Sequence, residues 1–171
     1  NTEFLIIDGQ QRLTTMSLLF LAMYNLLEEK IIISEDESLK DQIYEDFLVD
    51  KYQPQEKRMK LKPIKNDQKA FSKLFNSKDD YIKDSNLTIN YSYFYERIQK
   101  QEITIDELFD AICRLEIINI TLNNEDNPQL IFESLNSTGL DLSEGDKIRN
   151  YILMGLPKQK QDEYYEKYWN C

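Results

Sequence analysis

The chain has 171 residues, 41% of them apolar, which is enough for one globular domain with a sizeable core. Its formal net charge of −10 argues against gripping a nucleic-acid backbone unaided, because phosphate contacts need clustered Lys and Arg. Histidine is absent, so no Ser-His-Asp triad, His-Cys pair or HNH-type nuclease lies within these residues, and any chemistry rests on carboxylates, amides, Arg, Lys or a bound metal.

The first apolar run, Phe4-Leu5-Ile6-Ile7, predicts a strand, and residues 11–29 predict a helix. Between them lie Asp8-Gly9-Gln10-Gln11-Arg12. Gly9 permits a sharp turn, and the amides of the following helix start form a seat for an anion. Arg12 is the telling residue. A cation in a first helical turn opposes the macrodipole at a cost of a few tenths of a kcal/mol, and a bound phosphate reverses that sign. The plainer alternative is a common Asp-Gly turn in which Asp8 caps the helix and Gln10, Gln11 and Arg12 are solvated.

The helix itself carries Leu13, Met16, Leu18, Leu19, Phe20, Ala22, Met23, Leu26 and Leu27 on nearly every face, as a central buried helix does. Its longest unbroken apolar run, residues 18–24, is far too short to span a bilayer. No charged-then-apolar leader is present, so the expected location is cytoplasmic.

Ile31-Ile32-Ile33 predicts a short strand and residues 39–46 a helix. Residues 47–49 and 58–62 predict a hairpin around Gln53-Pro54-Gln55. In its second strand Arg58, Lys60 and Lys62 alternate with Met59 and Leu61, which reads as a lysine-guarded edge, with phosphate contact as the lesser alternative. Helices follow at 66–76, 86–101 and 104–111. Tyr91, Phe94, Tyr95 and Ile98 keep helical spacing and read as packing residues rather than base-stacking platforms. Cys113 and Cys171 form no close pair and no metal-ligand spacing, which fits a reducing compartment and argues against zinc. Residues 114–122, with Leu115, Ile117, Ile118, Ile120 and Leu122, form the best strand candidate and the expected partner of residues 5–8.

A second polar constellation follows. Asn127-Pro128 opens a helix that ends in Asn136-Ser137-Thr138-Gly139, with Gly139 suited to the left-handed C′ position. Another helix starts at Ser143, with Asp146 three residues on. Lys147, Arg149 and Asn150 project from its early turns, while Ile148 and Ile152 are expected to point inward. The plainer alternative is a well-capped helix–turn–helix whose polar residues face water. Asn1 at the start and the aromatic run Tyr168-Trp169-Asn170-Cys171 at the end mark the sequence as a window on a longer protein.

The stretch Ile6-Ile7-Asp8-Gly9-Gln10-Gln11-Arg12-Leu13-Thr14-Thr15 resembles the signature of the N-terminal domain of GmrSD-type modification-dependent restriction systems, which carries a ParB/sulfiredoxin-like core. Residues 131–143, Ile-Phe-Glu-Ser-Leu-Asn-Ser-Thr-Gly-Leu-Asp-Leu-Ser, resemble the same family's second hallmark, and an Asp-x-Ile-Arg-Asn-like run follows at 146–150. The resemblance covers residues 4 to about 154, with the middle matching only loosely. The family's opening segment and its HNH-type nuclease half are not in this sequence.

The resemblance implies an α+β, helix-dominated fold: a small mixed ParB/sulfiredoxin-like sheet, incomplete at its N-terminus, with a helical subdomain. It implies one domain over 1–171: strand–turn–helix over 1–30, a mostly helical insert over 31–112, and a strand with the second motif over 113–171. It also implies a nucleotide-binding regulatory domain of a phage-defence restriction protein, with hydrolysis left open. Phosphates would rest on Gly9, Gln10 and Gln11, neutralised by Arg12, and Asp8 would hold a Mg²⁺. Gln11 would orient an attacking water, and Thr14 or Thr15 would add a hydroxyl. Asn136, Gly139, Lys147, Arg149 and Asn150 are the further candidate nucleotide contacts. The expected cofactors are an NTP with Mg²⁺. The expected partners are that nucleotide, a nuclease domain in cis or in trans, and DNA only through the full-length protein, with no membrane. The competing reading is a non-catalytic DNA-phosphate or modified-base sensor, or a docking module for a nuclease.

Overall fold

The computed structural model describes residues 4–54, 57–123, 131, 143–145, 148, 151–152, 156, 160, 163–164 and 167–168. The chain divides into two compact units, Gly9–Ile117 and Asn1–Asp8 with Ile118–Cys171. The described residues are helix-dominated and include no strand beyond an isolated bridge.

In the Gly9–Ile117 unit, α1 (Gln10–Glu28) is the central element, as its all-round apolar sequence predicts. Leu18, Phe20, Leu21, Ala22, Met23 and Leu26 are buried, and α4 (Asn86–Gln99) is its main packing partner. The C-terminus of α1 closes as a Schellman motif. The Lys30 N–H donates to Leu27 O (3.1 Å) and the Ile31 N–H to Leu26 O (3.0 Å), with Lys30 left-handed at φ 56°. Lys30→Gly is therefore expected to stabilise the fold by about 1 kcal/mol, since glycine adopts this conformation freely. A melting temperature raised by roughly 2–4 °C is the check.

That turn overturns the expected strand at 31–33. Ile32 turns into the core while Ile31 and Ile33 face solvent, so one side chain is buried with no sheet partner among the described residues. The acidic end of α1 opposes its own dipole. Lys40 pairs with Glu28 and Lys78 with Glu29, each at 2.7 Å.

α2 (Leu39–Gln42) runs directly into a π-helix, Ile43–Leu48, closed by the Val49 N–H donating to Tyr44 O at 2.8 Å. The expected strand at 47–49 is thus mostly helical. Its cause is aromatic packing: Tyr44 stacks on Tyr24 (4.8 Å) and Phe47 on Phe20 (4.2 Å, 16°), matching helical spacings on both elements. What survives of the hairpin is one antiparallel bridge, Val49 to Met59, with hydrogen bonds from Asp50 N to Arg58 O and from Lys60 N to Leu48 O. Of the cation stripe, Arg58 Nε donates to Gln53 O and Lys60 Nζ to Asp46 O, so both tie down local carbonyls.

α3 (Lys65–Lys73), α4 and α5 (Ile105–Cys113) fall close to their predicted places. Ser85 caps α4, and Thr104 with Glu107 forms a reciprocal capping box on α5. Tyr91 is buried, and Phe94, Tyr95 and Ile98 pack against the core, as their spacing predicts. The hydroxyl of Thr88 is buried without a hydrogen-bond partner. Thr88→Val keeps the shape and removes the orphan, so it is expected to stabilise by about 1 kcal/mol, read as a higher midpoint in urea.

The remaining strand predictions fail among the described residues. Residues 4–8 are irregular, with Phe4 and Leu5 exposed, and residues 115–123 are irregular too, with Ile117 and Ile118 exposed at 83% and 92%. β-Branched composition gives such runs strand propensity, but a strand is completed only by a neighbour's hydrogen bonds. In the other unit, Ile131, Glu144, Gly145, Ile148, Tyr151 and Ile152 are helical as expected. Ile148 and Ile152 are exposed rather than inward, at odds with their apolar spacing.

Candidate functional site at the start of the first helix

Gly9 is the N-cap of α1 and is left-handed, with φ 83° and ψ 8°. The N-cap residue, having no side chain, makes no side-chain cap of its own. The first intrahelical bond runs from the Leu13 N–H to Gly9 O at 3.0 Å. The amides of Gln10, Gln11 and Arg12 precede it and face the helix's N-terminal end. The first turn contains no acidic residue.

Arg12 folds back over this turn. A β-carbon on Gly9 would lie 3.5 Å from its Nη2, 3.7 Å from Nε and 3.9 Å from Cζ. Helical side chains tilt toward the N-terminus, so a long residue three positions into the helix reaches the cap naturally. The guanidinium thus sits where the dipole is positive, a position that a nearby anion stabilises. Gln10, Gln11 and Arg12 are exposed, and so is Asp8, their neighbour in sequence.

Thr14 and Thr15 both bond back along the helix. Thr14 Oγ1 donates to Gln10 O (2.8 Å) and Thr15 Oγ1 to Gln11 O (2.9 Å), so each hydroxyl proton is held along the helix by a carbonyl four residues back. Asn136, Gly139, Lys147, Arg149 and Asn150 lie outside the described residues. Among the described residues no group of three His, Cys, Asp or Glu could hold a metal ion by itself. No helix among them is long and apolar enough to cross a membrane.

Two clefts in this unit lie at the opposite end of α1, about 28 Å along a 19-residue helix. One is polar and open, with Asn25, Glu29, Lys78 and Tyr81 in its walls. There Lys78 Nζ (2.7 Å) and Tyr95 OH (2.6 Å) both donate to Glu29 Oε2. Partial burial raises the Glu29 pKa, but these two bonds outweigh it and hold the carboxyl below its ordinary range. The Asn25 amide donates to Tyr91 OH at 2.7 Å, and burial drives that phenol's pKa strongly upward. Sequence reading did not anticipate this network. Its partners are 49 to 66 residues apart, and no local pattern signals such pairing.

No curated protein and no solved structure matches the chain. The family of the N-terminal domain of the GmrSD restriction endonuclease matches residues 1–153. With the turn at Gly9–Arg12 inside that match, the chain belongs to the GmrSD N-terminal domain family and is part of a restriction system.

Proposed function

We propose that the chain is a nucleotide-binding regulatory domain that seats the phosphates of an NTP on the turn from Gly9 to Arg12, a seat at which hydrolysis is the further step open to it. The observation that carries this reading is the Arg12 guanidinium, folded against a left-handed glycine at the start of a helix. Backbone amides and a guanidinium converging on one turn suit a phosphate's geometry and charge. Gln10 and Gln11 add exposed amides on the same turn. In hydrolysis, water attacks the γ-phosphorus and leaves nucleoside diphosphate and phosphate. Gln11 orients that water through its neutral side chain.

Mg²⁺ fits this reading as a companion of the phosphates. Asp8 offers one hard oxygen donor, and Mg²⁺ commonly takes one or two carboxylates with phosphate oxygens and water. When bound, the ion neutralises charge on the phosphoryl oxygens. Thr14 and Thr15 retain acceptor lone pairs on their hydroxyls. Asn136, Gly139, Lys147, Arg149 and Asn150 enter by the sequence resemblance alone. The same reading makes the domain a cytoplasmic component of a modification-dependent phage-defence system, meeting DNA and a nuclease domain through the longer protein.

Calorimetric titration of the full-length protein with each NTP, with and without Mg²⁺, tests the reading. Arg12→Ala is expected to weaken NTP binding about thirtyfold, the value of one charged hydrogen-bonding partner. Unchanged affinity removes the proposal. Heat with DNA and none with any NTP turns the site into a non-catalytic sensor.

A further inference from the structure

The loop after α1 and the loop between α4 and α5 enclose a cleft of about 150 Å³. Its apolar lining is five isoleucines. Ile32 and Ile105 are buried, Ile98 is half-buried, and Ile33 and Ile103 stand 88% and 52% exposed. A volume of this order accepts one benzene-sized group, so the cleft suits a single bulky side chain.

The cleft is preformed. Asp106 on the first turn of α5 accepts hydrogen bonds from Ser34 Oγ (2.5 Å) and the Glu35 N–H (3.2 Å), pinning one wall to the other. Its charge is one-sided. Glu35 and Asp106 line it, no cation does, and Asp36 and Glu37 follow on the exposed loop. Of the two cations at the end of α4, Arg97 is already held by Glu102 through two hydrogen bonds, and the exposed Lys100 lies outside the lining.

We propose that this cleft docks a polypeptide segment carrying one bulky apolar side chain flanked by lysine or arginine. The apolar side chain covers Ile33 and Ile103, and the flanking cations meet Glu35 and Asp106. Exposed aliphatic residues around a pocket, rimmed by a single sign of charge, specify both parts of such a segment. The site lies at the far end of α1 from the phosphate turn, so it stands independently of the nucleotide reading.

The test is methyl NMR on the full chain with labelled isoleucines, titrated with acetyl-Lys-Lys-Phe-Lys-Lys-amide and acetyl-Glu-Glu-Phe-Glu-Glu-amide. Saturable shifts at Ile33 and Ile103 with the basic peptide are expected, at least tenfold tighter than with the acidic one. Glu35→Gln should weaken binding about threefold, and Ile33→Ala about tenfold. Both positions are exposed, so melting temperatures should stay unchanged and report that the fold is intact. Equal affinity for the two peptides, or no shift at millimolar peptide, overturns the proposal. Concentration-dependent shifts at the same methyls without peptide assign the cleft to a second copy of the chain, which overturns it too.

Discussion

Leu26→Ala is expected to destabilise the protein by about 3 kcal/mol and lower its melting temperature by roughly 6–12 °C. Leu26 is fully buried in the last turn of α1, and its carbonyl receives the Ile31 N–H that closes the Schellman motif. Truncation removes the transfer free energy of the lost methyl groups and leaves a cavity between elements too well braced to collapse into it. Leu13→Ala on the same helix is the control. At 41% exposed it should change stability by less than about 1 kcal/mol. Chemical denaturation of both variants measures the difference. Equal losses would mean that α1 is not the central element of its unit.

The helices were legible in sequence because each carries its own evidence. α1 shows all-round apolarity, α4 starts behind Ser85, and α5 has Thr104 and Glu107 at capping-box spacing. Their ends were less so. Lys30 and Gln101 both terminate helices in the left-handed conformation, at φ 56° and 51°, where glycine is the usual signal. The strand predictions failed for a different reason: they ask about a neighbour. Phe47 reads as strand from its own run, yet Phe20 and Phe109 hold it in an aromatic cluster that a π-helix presents. Ile117 and Ile118 have strand-like side chains, and propensity alone forms no ladder.

The candidate turn was legible through two residues. Gly9 announced a conformation that only glycine adopts freely, and Arg12 announced a charge in an unfavourable place. The structure adds what spacing does not contain, namely that the guanidinium folds back onto the glycine itself. The hydroxyls of Thr14 and Thr15 illustrate the converse. A polar side chain near a site is a ligand candidate in sequence, but within a helix the carbonyl four residues back competes for its proton. The Ile33–Ile103 cleft was invisible because its walls come from two loops some seventy residues apart.

Gly9→Val is expected to lower NTP affinity roughly a hundredfold, about 3 kcal/mol of binding, the largest loss for any single change at the turn. Two costs act together. At φ 83° a side chain sits in the left-handed region, costing about 1–2 kcal/mol for an ordinary residue and more for a β-branched one. The first new carbon would lie 3.5 Å from Arg12 Nη2, an ordinary contact, but the two further methyl groups of valine have to share that space with the guanidinium. Gly9→Ala separates the costs. It should show the backbone penalty as a stability loss of about 1–2 kcal/mol while leaving Arg12 in place, so its affinity loss should be smaller than that of valine. Circular dichroism shows whether α1 persists in both variants, and calorimetry with NTP reads the affinities. If valine at position 9 binds nucleotide as tightly as glycine does, neither the left-handed turn nor the guanidinium packed on it forms the phosphate seat.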